Sequence, residues 1–168
     1  IETLSAAFVW LGSFVGHPYH YDFSFVSLNV ASDLSSKISS LGTLLLVLLL
    51  LCTFGLQIWR KLNVALASLM TITVVLVTGK VFSPQYVIWV IPLAVYAGKP
   101  NWRWCLPWGA VMVLTLLIYP IVYTYSAPPP TIIFFLALLR GLILLGMVLA
   151  LLGSCAFQAR AVKVIEVA

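Results

Sequence analysis

Lys80, Ser83 and Gln85 are three polar side chains that lie close together between two apolar stretches of the chain. Ser83 belongs to a residue type that favours the N-cap of a helix, and Pro84 suits the first helical position. A helix that begins there directs its free N–H groups and the positive end of its dipole back toward Lys80. This grouping is suited to bind an anion such as a phosphate. The alternative is an interfacial loop with a snorkelling lysine and an ordinary helix cap.

Arg140 is a second candidate, since it lies about nine residues into an apolar stretch, roughly 14 Å deep at the rise of an α-helix. An ionisable residue at that depth is costly, and it is a functional-site hypothesis by default. A structural ion pair, with Glu2 as the partner, is an equally good interpretation, and snorkelling is another. The sequence does not fix the distance between Arg140 and Glu2.

His17, His20 and Asp22 could in principle bind a metal ion, because imidazole and carboxylate groups are common ligands. Their spacing is local and no second cluster accompanies them, so solvated loop residues are the better interpretation. Cys52, Cys105 and Cys155 are interpreted as small apolar residues. The sequence predicts no metal site and no cofactor within this chain. Use of a divalent metal stays open, because its ligands would lie upstream of Ile1.

The composition indicates a membrane protein. Hydrophobic residues make up 63% of the chain and charged residues only 8%, with a mean hydropathy of +1.15, whereas a soluble domain carries roughly 25% charged residues. The apolar segments are continuous rather than alternating, which excludes a lumen-polar barrel. No basic run is interleaved with aromatic residues, so a nucleic-acid partner has no support. We predict an all-α fold, a polytopic transmembrane helix bundle.

Five apolar stretches approach the length of about 20 residues that a spanning helix needs. They cover approximately residues 41–58, 62–78, 81–96, 104–123 and 131–157. The stretch from Leu4 to Val15 is interpreted as the end of another span, which gives five to six spans in one integral membrane domain over residues 1–168.

Basic residues predict the orientation. If all five stretches cross, six basic residues fall on one side, and the positive-inside rule makes that side cytoplasmic. They are Arg60, Lys61, Lys99, Arg103, Arg160 and Lys163. The loop 16–38, the Lys80 segment and the Pro128-Pro129-Pro130 turn then lie outside. We therefore expect a multi-pass protein of the plasma membrane with a cytoplasmic C-terminus and an extracytoplasmic Lys80. Because the chain starts at Ile1, without an initiator Met, we expect it to be the C-terminal part of a longer protein.

The run Lys80-Val81-Phe82-Ser83-Pro84-Gln85-Tyr86-Val87-Ile88-Trp89-Val90-Ile91-Pro92-Leu93 resembles a family motif. It is similar to the K-V-F-S-P-Q-Y-L-x-W-x-x-P-L signature of bacterial glycosyltransferases with the GT-C fold, which are α-mannosyltransferase-like membrane proteins that use polyprenyl-phosphate sugars. A related pattern marks the first mannosyltransferase of glycosylphosphatidylinositol-anchor assembly. Ile1-Glu2-Thr3 resembles the end of the bacterial Q-I-E-S segment, and Arg140-Gly141-Leu142 its late R-N-L.

The resemblance implies transfer of a hexose, mannose above all, from a polyprenyl-phosphate donor to a lipid or glycan acceptor at the outer face. It assigns Lys80, Ser83, Gln85 and Tyr86 to binding of the donor phosphate. Enzymes of this fold rely on a carboxylate in the first outer loop, which would lie upstream of Ile1, so the catalytic residue is unknown here. Two other hypotheses remain. One is a non-enzymatic transporter with Arg140 as a pathway charge, and the other is a structural membrane subunit.

Overall fold

The computed structural model describes residues 3–24, 27–60, 64–98, 102–122 and 131–165, and the fold is given for these residues. The described chain is mostly helical. Its helices are α1 (Leu4–Gly12), α2 (Ser35–Arg60), α3 (Val64–Thr78), α4 (Pro84–Gly98), α5 (Trp102–Leu116) and α6 (Ile132–Ile165). A 3-10 turn (Ser13–Val15) prolongs α1, and a segment that is kinked at the non-helical Tyr119 (Leu117–Val122) follows α5. Each predicted apolar stretch therefore forms a helix.

Hydroxyl side chains set the starts of the first two helices. The Thr3 hydroxyl oxygen caps α1 by accepting the N–H of Ala6 at 3.2 Å. Before α2, the Ser32 hydroxyl oxygen accepts the N–H of Leu34 at 3.1 Å, and the Ser35 hydroxyl oxygen accepts the N–H of Ser32 at 2.9 Å. These reciprocal bonds resemble a capping box. They explain why α2 begins at Ser35, earlier than the predicted residue 41.

A β-hairpin between α1 and α2 corrects the prediction of an all-α fold. Strands β1 (His20–Ser24) and β2 (Ser27–Ala31) pair antiparallel, with Tyr21 opposite Val30. The Tyr21 ring stacks on the ring of Phe134 in α6, at 6.5 Å between centroids. Aromatic and β-branched residues favour strands, and packing against α6 supplies the support that an isolated hairpin lacks.

The core lies where α3, α4, α5 and α6 meet. Each of these helices contributes a fully buried valine to this region: Val74, Val90, Val111 and Val148. Four buried threonines satisfy their hydroxyl groups within their own helices by donating to the carbonyl oxygen four residues earlier, at 2.7 to 2.8 Å. They are Thr53, Thr73, Thr78 and Thr115. The apolar interior therefore carries these polar groups without leaving a donor unsatisfied.

The hairpin, the Lys80 segment and the start of α6 lie toward one end of the bundle. The early residue Gly42 of α2 approaches the last residue of α3, because a Cβ added at Gly42 would lie 3.7 Å from the carbonyl oxygen of Thr78. Tyr19, the residue before β1, contacts Phe134 near the start of α6, at 5.6 Å between ring centroids. Neighbouring helices thus alternate in direction, as short connections require.

Two of the described helical segments are long and apolar enough to cross a membrane, judged by length and composition: Ser35–Trp59 and Ile132–Gly153. Four further apolar segments are shorter: Leu4–Val15, Val64–Thr78, Pro84–Ala97 and Trp104–Pro120. The predicted bundle of five to six spans therefore stays a prediction. Lys61, Lys99 and the Pro128-Pro129-Pro130 turn, which entered the predicted orientation, lie outside the described residues.

Candidate functional site

A cavity of about 670 Å³ lies between α4 and α5, next to the Lys80 segment. Each of the two helices presents one face to it, with residues spaced three and four apart. The α4 face consists of Pro84, Val87, Ile88 and Ile91, and the α5 side of Met112, Thr115, Leu116 and Tyr119. Val81, Phe82, Ser83 and Gln85 complete the lining. The cavity is therefore lined mainly by apolar side chains and by a few polar ones, a composition typical of ligand pockets.

Ser83 and Gln85, two of the predicted phosphate ligands, both line this cavity. Helix α4 begins at Pro84, as the sequence predicted. Pro84 has no N–H group, and the N–H of Tyr86 donates to the carbonyl oxygen of Ser83 at 3.0 Å. The start of α4 thus offers fewer free backbone donors than expected. Side-chain groups of Ser83 and Gln85 would have to supply more of the binding.

Lys80 and Tyr86, the other two predicted ligands, do not belong to the cavity lining. Lys80 lies in a bend between α3 and α4, and its side chain is exposed. Tyr86 packs against the core, and its ring contacts that of Trp89 at 5.4 Å between centroids. The flexible stem of Lys80 leaves its ammonium free to approach a ligand that protrudes from the cavity, whereas Tyr86 faces the interior.

Arg140 is buried, with 1% of its surface exposed. Its guanidinium carbon lies over the ring of Phe82, 3.6 Å from the centroid. One of its nitrogens, Nη1, donates to the hydroxyl oxygen of Thr115 at 3.3 Å. Thr115 can accept this bond because its own proton is directed to the carbonyl oxygen of Val111. A desolvated cation–π contact of this kind is worth about 2 kcal/mol or more.

The contacts of Arg140 connect two candidates that the sequence treated separately. Phe82 belongs to the Lys80 segment and Thr115 to α5, and both residues line the cavity. The charged group therefore lies directly behind two parts of the cavity wall. Glu2, the ion-pair partner that the sequence suggested, lies outside the described residues.

The loop with the two histidines forms a separate polar cluster. His17 Nδ1 and Asp33 Oδ2 lie 2.7 Å apart, which joins the start of the hairpin loop to its end. The hydrogen bond with His17 is the main reason that the pKa of Asp33 is lowered. Burial, aided by neighbouring Tyr19, raises the pKa of Tyr21. Among the residues that the structure describes, no three metal-ligating side chains gather.

Sequence reasoning did not find Phe82, Thr115 and Tyr119 as parts of the site. Thr115 and Tyr119 lie four residues apart on the α5 side of the cavity, a helical spacing that was visible in the sequence. Nothing in the sequence indicated which helix this face would meet. The contact between Phe82 and Arg140 spans distant parts of the chain, and only the fold brings them together.

Comparison of the chain with protein-family models, with curated proteins and with solved structures finds no match.

Proposed function

We propose that this chain is the C-terminal portion of a polytopic membrane glycosyltransferase. It would transfer a hexose, mannose above all, from a polyprenyl-phosphate donor to a lipid or glycan acceptor at the extracytoplasmic face. The observation that carries the proposal is the cavity between α4 and α5, since Ser83 and Gln85 of the family-like motif both line this largely apolar pocket. Such a pocket suits a ligand with a polar head and an apolar tail.

The chemistry of the transfer gives these polar groups a role. As the bond between the sugar and the phosphate breaks, negative charge grows on the departing lipid phosphate. Donors fixed in place stabilise that charge more strongly in the transition state than in the bound donor. Ser83 and Gln85 would donate hydrogen bonds, and Lys80 would approach from the exposed side. Tyr86 would support α4 rather than touch the donor. The base or metal-binding carboxylate is expected upstream of Ile1.

The proposed setting is a multi-pass protein of the plasma membrane with five to six spans, a cytoplasmic C-terminus and an extracytoplasmic Lys80. Two helices of sufficient length and apolar character support a bilayer setting. The exposed surface of α2 supports it further, because many of its large apolar side chains lie outside the core. Leu41, Leu44, Leu48, Leu51 and Phe54 are among them.

The orientation can be tested with single cysteines in a variant that lacks Cys52, Cys105 and Cys155. Lys37→Cys and Val81→Cys would report the outer side, and a cysteine added after Ala168 the inner side. A membrane-impermeant thiol reagent applied to intact cells should label the first two and spare the third. Labelling of the C-terminal cysteine alone would invert the proposed topology.

The activity can be tested in membranes that contain the full-length encoded protein, supplied with radiolabelled polyprenyl-phosphate mannose. We expect Lys80→Ala and Gln85→Ala to lower transfer severely while membrane insertion stays intact. Lys37→Ala is the matched control, since it removes another exposed lysine from the same end of the bundle. Wild-type turnover in Lys80→Ala would remove the donor-phosphate role of that lysine. An unsubstituted protein that transfers neither mannose nor another hexose would favour the transporter or structural-subunit hypothesis.

A further inference from the structure

Phe82 is the side chain through which the Lys80 segment contacts the interior of the bundle. Lys80 and Val81 are exposed and Ser83 is half-buried, whereas Phe82 keeps only 9% of its surface exposed. Its ring lies on the guanidinium of Arg140, at 3.6 Å from ring centroid to guanidinium carbon. Phe82 thus lies within a segment that is otherwise largely turned to the outside.

We propose that Arg140 is a positioning residue, whose guanidinium holds Phe82 and thereby fixes the Lys80–Ser83 segment at the mouth of the cavity between α4 and α5. Arg140 therefore acts through Phe82 and does not itself contact the ligand. The proposed position of the segment is the one in which Ser83 lines the cavity and Lys80 lies beside it.

Two features suit arginine to this role. The guanidinium is planar, so it can stack on a ring while its N–H groups donate within the same plane. The bond from Nη1 to the Thr115 hydroxyl oxygen fixes the plane against α5. Arg140 therefore joins α5, α6 and the Lys80 segment, so the mouth of the cavity depends on all three. A lysine would keep the charge, but it has no planar group that could stack on Phe82 and donate a hydrogen bond to Thr115 at the same time.

The contact between Phe82 and Arg140 can be tested without any sugar donor. The measurement is hydrogen–deuterium exchange of the purified protein, followed in peptides that cover residues 79–88. We expect Phe82→Leu and Arg140→Met to speed exchange in this segment by roughly tenfold or more, the scale that loss of a desolvated cation–π contact implies. Because both changes remove the same contact, the double variant should exchange no faster than the more affected single variant.

Conservative and control variants separate this role from general loss of packing. Phe82→Tyr keeps the ring and should keep the wild-type exchange rate, whereas Arg140→Lys should restore only part of the protection. Val148→Ala is the matched control, because it truncates another fully buried side chain of α6, two turns further along the helix. It should leave the exchange of residues 79–88 unchanged. Phe82→Leu changes the segment alone, so it remains informative if Arg140→Met does not fold.

Wild-type exchange in Phe82→Leu would overturn the proposal, and so would additive effects in the double variant or equal acceleration by Val148→Ala. The catalytic consequence rests on the proposed function. If donor transfer is observed, Phe82→Leu should raise the donor KM by roughly tenfold and lower kcat less, because the segment is mispositioned while Lys80, Ser83 and Gln85 are retained. If no transfer is found in the wild type, the glycosyltransferase proposal fails, and the exchange data still decide the role of Arg140.

Discussion

Helices α2 and α6 are both long and apolar, but they differ in how much of their surface is buried. Both contain a segment long and apolar enough to cross a bilayer, yet 11% of the most apolar window of α2 is buried in the fold, against 44% for α6. Helix α6 contacts α1, α3 and α5 and carries the buried Arg140. A strongly apolar sequence is therefore found both in a helix with an exposed surface and in a helix that forms part of the core. Apolar character alone does not tell the two apart.

Gly141 of α6 and Gly55 of α2 differ in how closely another helix approaches them. A Cβ at Gly141 of α6 would lie 2.7 Å from Leu4 Cδ1 and 3.0 Å from Leu4 Cβ, so α1 approaches α6 closely because Gly141 has no side chain. Gly55 of α2 has nothing within 4 Å of such an atom. Gly141 therefore permits close helix contact, as small residues do between packed helices, whereas Gly55 has no such role.

The largest difference between α2 and α6 is expected in the free energy of unfolding, when a leucine of each helix is replaced by alanine. Leu144 of α6 is 1% exposed and Leu48 of α2 is 50% exposed. Leu144→Ala should lower the free energy of unfolding by about 2–5 kcal/mol, because it leaves a cavity in the core. Leu48→Ala should change it by no more than roughly 0.5 kcal/mol. Unfolding of the purified protein in bicelles measures both. Equal losses would remove the distinction between the two helices.

A lysine placed on the exposed face at the middle of each helix tests whether that face contacts lipid or water. Leu48 of α2 and Leu142 of α6 are 50% and 47% exposed and lie near the middle of their apolar segments. In a bilayer, Leu48→Lys and Leu142→Lys should each disfavour insertion by about 2.5–3.5 kcal/mol, reduced where the lysine can snorkel. A glycosylation-based insertion assay reports this. If neither substitution impairs insertion, these faces are in contact with water.

Two glycines within α6 form a pair for a smaller effect. Gly141→Ala should lower the free energy of unfolding by about 1–3 kcal/mol, because the new methyl group meets Leu4. Gly146→Ala should be neutral or stabilising by up to about 1 kcal/mol, since nothing lies within 4 Å and alanine favours the helix. Thermal unfolding of the two variants side by side measures the difference. A harmless Gly141→Ala would mean that α1 can move away at little cost.

The smallest effect is expected at the polar start of α2, where Asp33 meets His17. The pKa of Asp33 is lowered in the folded state. Its contribution to stability is therefore present above the unfolded pKa of about 4 and is lost as pH falls through the lower folded pKa. Asp33→Asn should lower Tm slightly at pH 7, and the difference should shrink as the pH is lowered below about 4. Asp22→Asn on the hairpin is the control. A Tm deficit that does not shrink as the pH is lowered would assign the effect to something other than the carboxylate charge.

Much of the helical architecture was predictable, because it follows from local patterns. Apolar runs long enough for helices lie where α2 to α6 form, and Ser83-Pro84 correctly indicated the start of α4. The hairpin was not predicted, although Tyr19, Tyr21 and Phe23 alternate with polar residues. Period-two alternation over so short a stretch is a weak signal until a helix such as α6 packs against it.

The candidate site was predictable only in part. Ser83 and Gln85 were named from the sequence and share the cavity, whereas Lys80 lies beside it and Tyr86 turns toward the core. Arg140 was singled out by its depth in an apolar stretch, but its partners were not. Depth can be counted along one helix, whereas partners depend on how several helices are placed.

The sequence by itself determined the apolar helices, the polar segment between α3 and α4, and the unusual position of Arg140, because each follows from residue type and spacing along the chain. Only the tertiary structure decided that α6 is central and α2 peripheral, that Gly141 admits α1, and that Phe82 lies on the guanidinium of Arg140. These outcomes depend on the shapes of side chains from distant segments, and the best joint packing of those shapes cannot be derived one segment at a time.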